Sequence, residues 1–562
     1  MSKTSDYNRV SVLIVGGGPA GLAAAIKLKQ LQPDRGVVVL DKAKHPGGHN
    51  LSGAVLEEEC IDELLKNIDP NWRNNKGSEI FARKVIQDDT YMFPSKTSKI
   101  NMGTPIKLAK LCQLGFGKLV HKGDTLISIS QLTRWLTGYA QQLGVELLHG
   151  FAIREIIMSE DKTKALGVRT QEQGLDHAGN KQFNYVPAED IYADNIVLAE
   201  GALGLLTEQF VNEAGLKRKA TPLFSVGVKE IFEVSDQQYK DFGDNRCVHA
   251  MGYPIWDIIS GPKMFGGGIM YAMGDNKIAV GMIVGADWKE CDFNPQEALV
   301  HFKSHAFVEP FIKDGKIIEA GAKMIPEGGY HAIPRDVETK SIGRNNVVIL
   351  GDSAGLVNML KIKGLHNAIY SGIYAGAALA ACGDDHDAVA AAYTKLLDAS
   401  SIDEEMREAA NYRQVVAKFG NLLGFPISVV GNLLPRLDIE PDYEAMKPTK
   451  YKYRTEKHFD KDAFVAAGNV DHREEQPCHC HVLDESICEN ICKPKYENLC
   501  SGYGRPCITF CPAGVYDLVA GQMKPVNALN CLHCKTCQNK CPYDNLRWFT
   551  PEGTGGPDYK FS

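Results

Sequence analysis

Eleven of the sixteen cysteines in this 562-residue chain lie between Cys478 and Cys541, a local density typical of metal ligation. A run of four reads Cys531-x2-Cys534-x2-Cys537-x3-Cys541 and is followed by Pro542. Thiolates with this spacing typically hold a [4Fe–4S] cluster, and where two clusters are present the last cysteine of each run ligates the other one. Upstream, Cys511 is also followed by a proline. We therefore predict a cluster held by Cys511, Cys531, Cys534 and Cys537.

Cys541, which this cluster does not use, indicates a second one. Cys507-x3-Cys511-Pro512 mirrors the end of the downstream run. We predict a second [4Fe–4S] cluster held by Cys541, Cys507, Cys500 and either Cys492 or Cys488. The alternatives are free thiols, or a zinc ion bound with Cys478-His479-Cys480-His481. For the first cysteine group the alternative is a structural zinc site, since zinc also takes four thiolates, but zinc sites usually pair two separated C-x2-C motifs.

A glycine-rich loop near the amino terminus lies between a predicted strand and a predicted helix. Val12 to Val15 read as a buried parallel strand, Gly16-Gly-Gly18-Pro-Ala-Gly21 follows, and residues 22–30 are helix formers. In this context the glycines allow a pyrophosphate to approach the backbone at the helix N-terminus. A second strand, 37–40, ends in Asp41, where an acid binds a ribose hydroxyl. The pattern predicts dinucleotide binding.

Two further segments favour FAD as the dinucleotide. Residues 196–201 read as a strand that ends in a turn at Gly201, and residues 346–355 read as a strand that delivers Gly351 and Asp352 beside small residues. With the glycine-rich loop, these segments resemble the FAD-binding fold of the hydroxybenzoate-hydroxylase and geranylgeranyl-reductase type. The resemblance implies that Asp352 contacts the ribityl and pyrophosphate part of FAD. A carboxylate that only caps a helix is the alternative.

Composition is that of an ordinary globular protein, with 44% hydrophobic and 23% charged residues. The length suggests roughly three to four domains. A net charge of −7 without a long basic run argues against nucleic acid as a partner. The first strand begins near Met1, and we expect neither a signal peptide nor an Arg-rich transit peptide. Because the cysteines are clustered and do not form a framework spread through the chain, we expect a reducing, cytoplasm-like compartment.

No apolar run approaches the ~20 residues of a transmembrane helix. Residues 419–435 are nevertheless apolar and uncharged, and they are interrupted by Pro426 and several glycines. We predict that this segment is either a surface that inserts into the bilayer without crossing it or a buried turn between domains. Residues 114–120 are a weaker candidate for such a surface. We expect peripheral contact with the cytoplasmic face of the inner (cell) membrane.

Eight short stretches are specific enough to indicate a family. They are residues 47–54 (GGHNLSGA), 227–231 (GVKEI), 265–267 (FGG), 327–329 (EGG), 361–366 (KIKGLH), 510–516 (FCPAGVY), 531–537 (CLHCKTC) and 551–557 (PEGTGGP). On these stretches the chain resembles the electron transfer flavoprotein (ETF)–quinone oxidoreductase, or ETF dehydrogenase, family along nearly its whole length. The resemblance implies a monotopic membrane enzyme with FAD, one [4Fe–4S] cluster and a quinone pocket, which takes electrons from reduced ETF.

The resemblance also implies site residues. A backbone pair, Gly266 and Gly267, would contact a quinone carbonyl, with a β-bulge or tight turn as the alternative. No catalytic acid or base is assigned, because the cofactors carry the electron chemistry. We expect His49 and His366 to be hydrogen-bonded structural groups. The residues expected at FAD are Gly16, Gly18, Gly21, Asp41, Gly48, Ser52, Gly201, Gly351, Asp352 and Gly364.

We expect a mixed α/β (α+β) fold of three modules. Residues 1–110, 130–221 and 336–400 would form a discontinuous Rossmann-like FAD-binding domain. Residues 222–335 would form an inserted β-sheet quinone domain with strands at 226–234, 264–273 and 277–284. Residues 401–440 would be a helical segment that includes the membrane-contact candidate. Residues 441–562 would form a C-terminal ferredoxin-like iron–sulfur domain.

The cofactors match a one-electron donor to a two-electron acceptor. ETF delivers single electrons, whereas a quinone takes two; a cluster passes one electron, and a flavin holds one or two. We predict electron flow from reduced ETF through [4Fe–4S] and FAD to the membrane quinone pool, ubiquinone or menaquinone. One alternative is a geranylgeranyl or polyprenyl reductase, which would not require the cysteine-rich tail. Others are the flavin/iron–sulfur subunit of an electron-bifurcating ETF complex and a non-enzymatic carrier, which the intact glycine loop opposes.

Overall fold

The structure, a computed structural model, describes residues 9–51, 53, 55–112, 118–257, 261–428, 430–454, 460–500 and 504–562. Ser52, predicted to contact FAD, and residues 114–117 of the weaker membrane candidate lie outside these described residues. Within them, the chain forms two large sheets, a set of helices and a small cysteine-rich module.

The strands are numbered in chain order. Those of the first part of the chain are β1 Arg9–Val15, β2 Val37–Asp41, β3 Val55–Leu56, β4 Gln87–Phe93, β5 Ile100–Asn101, β6 Thr125–Leu126, β7 Glu146–His149, β8 Ile153–Met158, β9 Ala165–Thr170, β10 Gln173–Leu175, β11 Lys181–Val186 and β12 Asp190–Leu198. The others are β13 Phe224–Glu233, β14 Arg246–Gly252, β15 Gly266–Gly274, β16 Lys277–Gly285, β17 Lys316–Pro326, β18 Gly343–Arg344, β19 Val347–Ile349, β20 Cys480–Val482, β21 Asp517–Val519, β22 Gln522–Lys524 and β23 Leu546–Trp548.

The α-helices are numbered in the same way. The first nine are α1 Pro19–Leu31, α2 Glu59–Leu65, α3 Gly103–Leu111, α4 Ile129–Gln142, α5 Leu205–Glu213, α6 Asp236–Phe242, α7 Pro295–Lys303, α8 Glu309–Ile312 and α9 Gly351–Ala354. The others are α10 Leu365–Cys382, α11 Val389–Asp398, α12 Ser401–Glu408, α13 Tyr412–Ser428, α14 Lys461–Ala467, α15 Glu485–Ile487, α16 Lys493–Tyr496, α17 Pro506–Phe510 and α18 Thr536–Lys540.

The first large sheet carries the glycine-rich loop. Its main path has the order β18-β19-β12-β1-β2-β7, and β1 pairs in parallel with both β2 and β12. Val12, Leu13 and Ile14 are fully buried, as expected for a parallel strand covered on both faces. Helix α1 follows directly and begins with Pro19, whose fixed φ suits a first helical position. Ligands of such sheets bind beyond the carboxyl ends of the strands, which here is the end of β1.

The second large sheet has the order β17-β13-β16-β15-β14-β4-β5. The three strands predicted there correspond to β13, β15 and β16, which pair antiparallel. One boundary differs from the prediction, because β4 and β5 fall within the range 1–110 assigned to the FAD-binding domain. Strand β4 instead pairs in parallel with β14, so that Thr90 lies opposite His249. Such pairing between distant segments depends on tertiary packing, which no local pattern encodes.

The cysteine-rich module contains two small antiparallel pairs, β20 with β23 and β21 with β22, and the short helices α17 and α18. It shares one continuous apolar core with the second large sheet. At this junction the rings of Phe510 and Trp288 lie 6.2 Å apart. The module therefore packs firmly onto the rest of the chain.

The segment 401–440 is largely helical, as predicted, and contains α12 and α13. Helix α13 is kinked at Gly420, which has a φ of 71° and a ψ of 169°, and Pro426 lies further along it. Both residues are typical causes of a break in a helix. In the part of the chain that the structure describes, no helix is both long and apolar enough to cross a membrane.

Candidate functional site

A cavity of about 420 Å³ begins at the glycine-rich loop after β1 and is lined there by Gly16, Gly18 and Asp41. Gly16 has a φ of +108°, and an added Cβ would lie 2.2 Å from a backbone oxygen of the neighbouring segment. The carboxylate of Asp41 accepts hydrogen bonds from the backbone N–H groups of Gly17 at 2.7 Å and Ala43 at 2.8 Å. These bonds hold the loop beside the N-terminus of α1, where a pyrophosphate is stabilised.

Three more of the predicted FAD residues line the same cavity. Gly201 follows β12, Asp352 lies in α9 and Gly364 precedes α10. Burial raises the pKa of Asp352 to about 6, although nearby Lys323 opposes the shift. Near neutral pH its carboxyl group can therefore both accept and donate hydrogen bonds, which suits hydroxyl partners. The positive end of the 18-residue helix α10 also faces the cavity and favours negative charge there.

Gly21, Gly48 and Gly351 do not line this cavity in the described structure but position its surroundings. An added Cβ at Gly21 would lie 2.1 Å from a backbone oxygen of the loop, so glycine allows α1 to approach β1. The carbonyl of Gly48 accepts the N–H of Tyr559 at 2.8 Å, which fixes the C-terminal segment. The N–H of Gly351 donates to the hydroxyl of Ser371 at 3.1 Å.

The far end of the cavity is formed by Gly266 and Gly267 at the start of β15. Added Cβ atoms would lie 2.0 Å and 2.2 Å, respectively, from backbone oxygens of the flanking strands. Both residues are in regular pairing with β16, and the register shift of this strand lies further on, between Ala272 and Gly274. The pair is therefore not at the β-bulge considered as an alternative. Because neither residue has a side chain, this wall presents backbone to a ligand.

Sequence reasoning missed a group of ionisable residues beside this glycine pair. His249 of β14 lines the cavity and stacks on His121, with ring centroids 4.5 Å apart. Asp88 Oδ1 lies 3.6 Å from His121 Nδ1. Burial, together with His121, lowers the pKa of His249 to about 3, so its ring is neutral at pH 7. No sequence spacing signals this group, because the pairing of β4 with β14 creates it.

The two loop histidines have different surroundings. His366 Nε2 lies 3.3 Å from Glu405 Oε2, which agrees with the hydrogen-bonded role predicted for it. His49 lines the cavity, and its Nδ1 has no hydrogen-bond partner among the described residues. Its ring centroid lies 5.1 Å from that of His533 in the cysteine-rich module. His49 therefore lies between the cavity and that module.

The cysteine-rich module closes another side of the cavity with Lys535 and Trp548, beside Lys42 and Lys323 of the two large sheets. The Nζ atoms of Lys42 and Lys535 lie 4.6 Å and 4.9 Å from the centroid of the Trp548 ring. Burial lowers the pKa of Lys42 to about 8 and also lowers the pKa values of Lys323 and Lys535. Anionic groups bound nearby would restore the charged forms of these lysines. The wall therefore suits the phosphates of a dinucleotide and the negative charge of a thiolate-bound cluster.

The four cysteines of the first predicted cluster come together on this side of the module. Burial raises the pKa of Cys537, and the neighbouring thiols of Cys534, Cys531 and Cys511 raise it further. A backbone N–H, that of Val515, donates to Cys511 Sγ at 3.4 Å. In the described chain, no three of these four sulfur atoms lie within 4.8 Å of one another. A zinc ion with bonds of about 2.3 Å would draw its thiolates to about 3.8 Å apart, so these four sulfur atoms do not form a ready-made zinc site.

The motif at residues 478–481, left without an assignment, lies beside this first group. His479, Cys480 and Cys531 place ligand atoms within 4.8 Å of one another, and so do His472, His479 and His533. Strand β20 brings Cys480 there by pairing with β23. The motif therefore belongs to the surroundings of the first cysteine group.

The structure corrects one residue of the second predicted cluster. Cys500 does not line the cavity that its expected partners line, and its thiol donates to the backbone carbonyl of Cys291 at 3.3 Å. A separate cavity of the module is lined by Cys488, Cys492, Cys507 and Cys541. Cys488 and Cys492 both line this cavity, and residues 488–492 form one turn of π-helix, a rare geometry that often marks functional sites.

The apolar segment 419–435 combines cavity lining with exposure. Phe425 of α13 lines the cavity, as does Leu119. On the same helix, Leu422 and Leu423 are 62% and 60% exposed, and Leu433 beyond it is 79% exposed. The segment is thus neither wholly a buried turn nor wholly a surface, and it connects the cavity to an apolar patch.

Fold and site together define a class of protein, a flavin-dependent oxidoreductase with an iron–sulfur module. Three family models match separate parts of the chain: "NAD(P)-binding Rossmann-like domain" at residues 14–81, "ETF-QO, ubiquinone-binding" at 224–325, and "Electron transfer flavoprotein-ubiquinone oxidoreductase, 4Fe-4S" at 456–560. The chain belongs to the electron transfer flavoprotein–ubiquinone oxidoreductase family. The matches confirm the predicted family, fold class and cofactor types.

Relatives match over nearly the whole length. The electron transfer flavoprotein-ubiquinone oxidoreductase of Pseudomonas aeruginosa is 32% identical, over 99% of each chain. A probable enzyme of the same name from Acinetobacter baylyi is 31% identical, over 98% of this chain and 97% of its own length. Among solved structures, a geranylgeranyl bacteriochlorophyll reductase-like protein from Thermoplasma acidophilum has a TM-score of 0.53 at 16% identity, covering 76% of this chain and 92% of its own. That likeness concerns the fold alone.

Proposed function

We propose that this protein oxidises reduced electron transfer flavoprotein and reduces a membrane quinone, with FAD and a [4Fe–4S] cluster as electron carriers. The observation that carries the proposal is the single cavity lined by the glycine-rich loop, by the Gly266–Gly267 pair and by Trp548 of the cysteine-rich module. A flavin bound there would lie between a quinone position and the cysteine group. Full-length relatives named for ETF and ubiquinone support the same donor and acceptor.

Residues of the first sheet would hold FAD. Gly16, Gly18 and Asp41 would bind the pyrophosphate and ribose, and Asp352 would bind ribityl hydroxyls. Gly364, at the positive end of α10, would face the negative charge of a reduced isoalloxazine. When bound, FAD and the cluster supply the one- and two-electron chemistry that the reaction requires. The chain supplies orientation, exclusion of water and fixed charges.

The quinone ring would lie against the backbone of Gly266 and Gly267. Reduction of a quinone to a quinol takes up two protons with two electrons, so a polar group near the ring is needed. His249 lines the same wall, and its neutral ring can donate an N–H to a quinone oxygen. Phe425 and Leu119 provide apolar contacts for the tail. The ligands of the first cluster would be Cys511, Cys531, Cys534 and Cys537.

We also propose peripheral contact with the cell membrane, on the cytoplasmic face expected from the sequence. A quinone with a long apolar tail is dissolved in the bilayer, so a reductase must open its cavity toward lipid. The exposed Leu422, Leu423 and Leu433 lie on the segment that also lines the cavity through Phe425. Apolar side chains of this kind insert into the interfacial region without crossing the bilayer.

An anaerobic assay tests the proposal. Purified protein would receive ETF reduced by an acyl-CoA dehydrogenase and its substrate, with ubiquinone and menaquinone analogues offered separately as acceptors. Quinol formation that depends on both ETF and this protein is expected. A protein that retains FAD and iron yet forms no quinol from either class would overturn the proposal.

Two other functions give different outcomes in the same preparation. A geranylgeranyl or polyprenyl reductase would saturate double bonds of a prenyl substrate and would not need ETF. A subunit of an electron-bifurcating complex would reduce quinone only when ETF, a low-potential acceptor and a pyridine nucleotide donor are all present. Turnover with pre-reduced ETF alone separates the proposed activity from both.

A further inference from the structure

Two short helices of the cysteine-rich module are copies of one motif. Helix α17 has Cys507 as its second residue and is followed by Cys511, and α18 has Cys537 as its second residue and is followed by Cys541. In each motif the N–H of the second cysteine donates to the carbonyl of the first at 3.1 Å. The ψ angles of Cys511 and Cys541 are both 118°, and their φ angles are −65° and −60°. Each helix therefore presents one thiol at each of its ends.

The motifs also share a hydrogen bond to sulfur. The N–H of Val515 donates to Cys511 Sγ at 3.4 Å, and the N–H of Asn545 donates to Cys541 Sγ at 3.3 Å. In both cases the donor lies four residues after the cysteine. Such N–H groups stabilise a sulfur that carries negative charge and help to set the potential of iron–sulfur centres. Cys541 thus has the environment of Cys511, a predicted ligand of the first cluster.

The cavity around Cys541 is built for a charged sulfur-bound group. Its four cysteines, Cys488, Cys492, Cys507 and Cys541, are all buried. The side-chain amide of Asn545 donates to Cys488 Sγ at 3.3 Å. Arg505 lines the cavity while only 1% exposed, and its Nε has no hydrogen-bond partner in the described structure. Its Nη2 pairs with Glu489 at 2.5 Å, so the same guanidinium, beside the four thiols, offsets part of the charge that they carry as thiolates.

The four sulfur atoms of this cavity are not arranged as a ready-made site for a single metal ion. Within the described residues, no three of its four sulfur atoms lie within 4.8 Å of one another. Zinc bonded at about 2.3 Å would require separations of about 3.8 Å. A four-iron cluster is larger and holds its thiolates farther apart.

We infer that the module holds a second [4Fe–4S] cluster, with Cys488, Cys492, Cys507 and Cys541 as its ligands. Helices α17 and α18 then each give one ligand to each cluster, an exchange known from proteins that carry two such centres. The second site lies in a cavity of its own, and none of its four cysteines lines the flavin cavity. Cys500, whose thiol donates a hydrogen bond to the backbone carbonyl of Cys291, is not a ligand of this cluster.

Metal and spin counting on the full-length holoprotein tests the number of clusters. The protein would be purified anaerobically and reconstituted with ferrous iron and sulfide. Iron, sulfide, zinc and FAD are then measured together, and spins are counted by EPR after dithionite reduction. About eight irons and two spins per FAD are expected. About four irons, with or without one zinc, would overturn the inference.

Matched variants test the ligand set. Cys541→Ala and Cys488→Ala should each retain FAD, about four irons and the EPR signal of one isolated centre. The control, Cys500→Ala, should retain about eight irons. Full iron in Cys541→Ala, or a loss of four irons in Cys500→Ala, would overturn this ligand set. If a variant does not fold, the wild-type count still decides the number of clusters.

This inference goes beyond the proposed function and can fail independently of it. Iron and spin counts do not depend on which donor or acceptor the enzyme uses. A protein with eight irons that reduces no quinone would refute only the proposed function. A quinone reductase with four irons would refute only the second cluster.

Discussion

The amine of Lys42 lies 4.6 Å from the centroid of the Trp548 ring, and this contact joins the first large sheet to the cysteine-rich module. Lys42 follows Asp41 at the end of β2, whereas Trp548 ends β23. Asp41, the carboxylate predicted to bind the ribose, is therefore the immediate neighbour of Lys42, whose side chain contacts the wall of the cysteine-rich module.

Replacing Lys42 with Met should lower the midpoint potential of the first cluster. The buried amine attracts the electron that arrives on reduction, and its loss is worth ~1 kcal/mol, or about 40 mV for a one-electron centre. An EPR-monitored redox titration measures the shift. Lys44→Met is the control, because Lys44 is half exposed and pairs with exposed Asp471. Equal potentials in both variants would contradict the prediction.

Replacing Asp41 with Ala should weaken retention of FAD by about tenfold or more. The change removes the acceptor of two backbone N–H groups that shape the glycine-rich loop, and such charged hydrogen bonds contribute about 1.5–3 kcal/mol each. The FAD-to-protein ratio after gel filtration reports the effect. Exposed Asp34, on the loop before β2, provides Asp34→Ala as a control that should keep its FAD.

Buried His249 should make stability depend on pH. A histidine in the unfolded chain titrates near pH 6.5, whereas burial lowers the pKa of His249 to about 3 in the folded protein. Between these values the unfolded state binds more protons, so the contribution is complete above pH 6.5 and is lost as the pH falls. At pH 5 the loss reaches up to about 2 kcal/mol.

Thermal unfolding at pH 7 and pH 5 measures this contribution. The midpoint of wild type should fall more between the two pH values than that of His249→Gln. His45→Gln, at an exposed position, should behave like wild type. Identical pH dependence in wild type and His249→Gln would show that His249 does not contribute.

Replacing Arg413 with Met should destabilise the junction of α13 with the second sheet. The guanidinium is 1% exposed and bonds Asp287 at 2.5 Å and Glu327 at 3.0 Å. Its removal leaves buried Glu327 without this cation and Asp287 with only the nearby Lys540, at a cost of roughly 3–5 kcal/mol. A lower thermal unfolding midpoint is expected. The control is Arg436→Met, which breaks an exposed pair with Asp438 and should change the midpoint little.

Changing both Leu422 and Leu423 to Glu should reduce binding to lipid vesicles more than tenfold. Each exposed leucine that enters the interfacial region contributes about 1.5–3 kcal/mol, and a carboxylate reverses the effect. Co-sedimentation with liposomes measures binding. Glu at Leu31 and Leu396, 48% and 40% exposed elsewhere, is the matched control. Equal loss in both double variants would exclude α13 as the contact surface.

Local sequence patterns predicted the elements that carry the cofactors. The strand, loop and helix around Gly16 depend on contiguous residues, and so does the ferredoxin-type spacing that ends at Cys541. Family resemblance then gave the function. Gly21, Gly48 and Gly351 do not line the cavity, and their contact with FAD stays a prediction.

Long-range pairing, in contrast, could not be predicted. The pairing of β4 with β14 created the group of Asp88, His121 and His249. Cys488, in the π-helical turn at residues 488–492, lines the second cavity. Cys500, whose thiol donates to the carbonyl of Cys291, does not line it.

The sequence by itself thus determined which chemistry this protein carries, because thiolate spacing and glycine loops act over a few neighbouring residues. Only the tertiary structure decided which thiols and ionisable groups meet, and how the flavin cavity reaches both the cysteines and an apolar surface. The physical reason is that these contacts join segments hundreds of residues apart. Their geometry depends on how the two sheets pack.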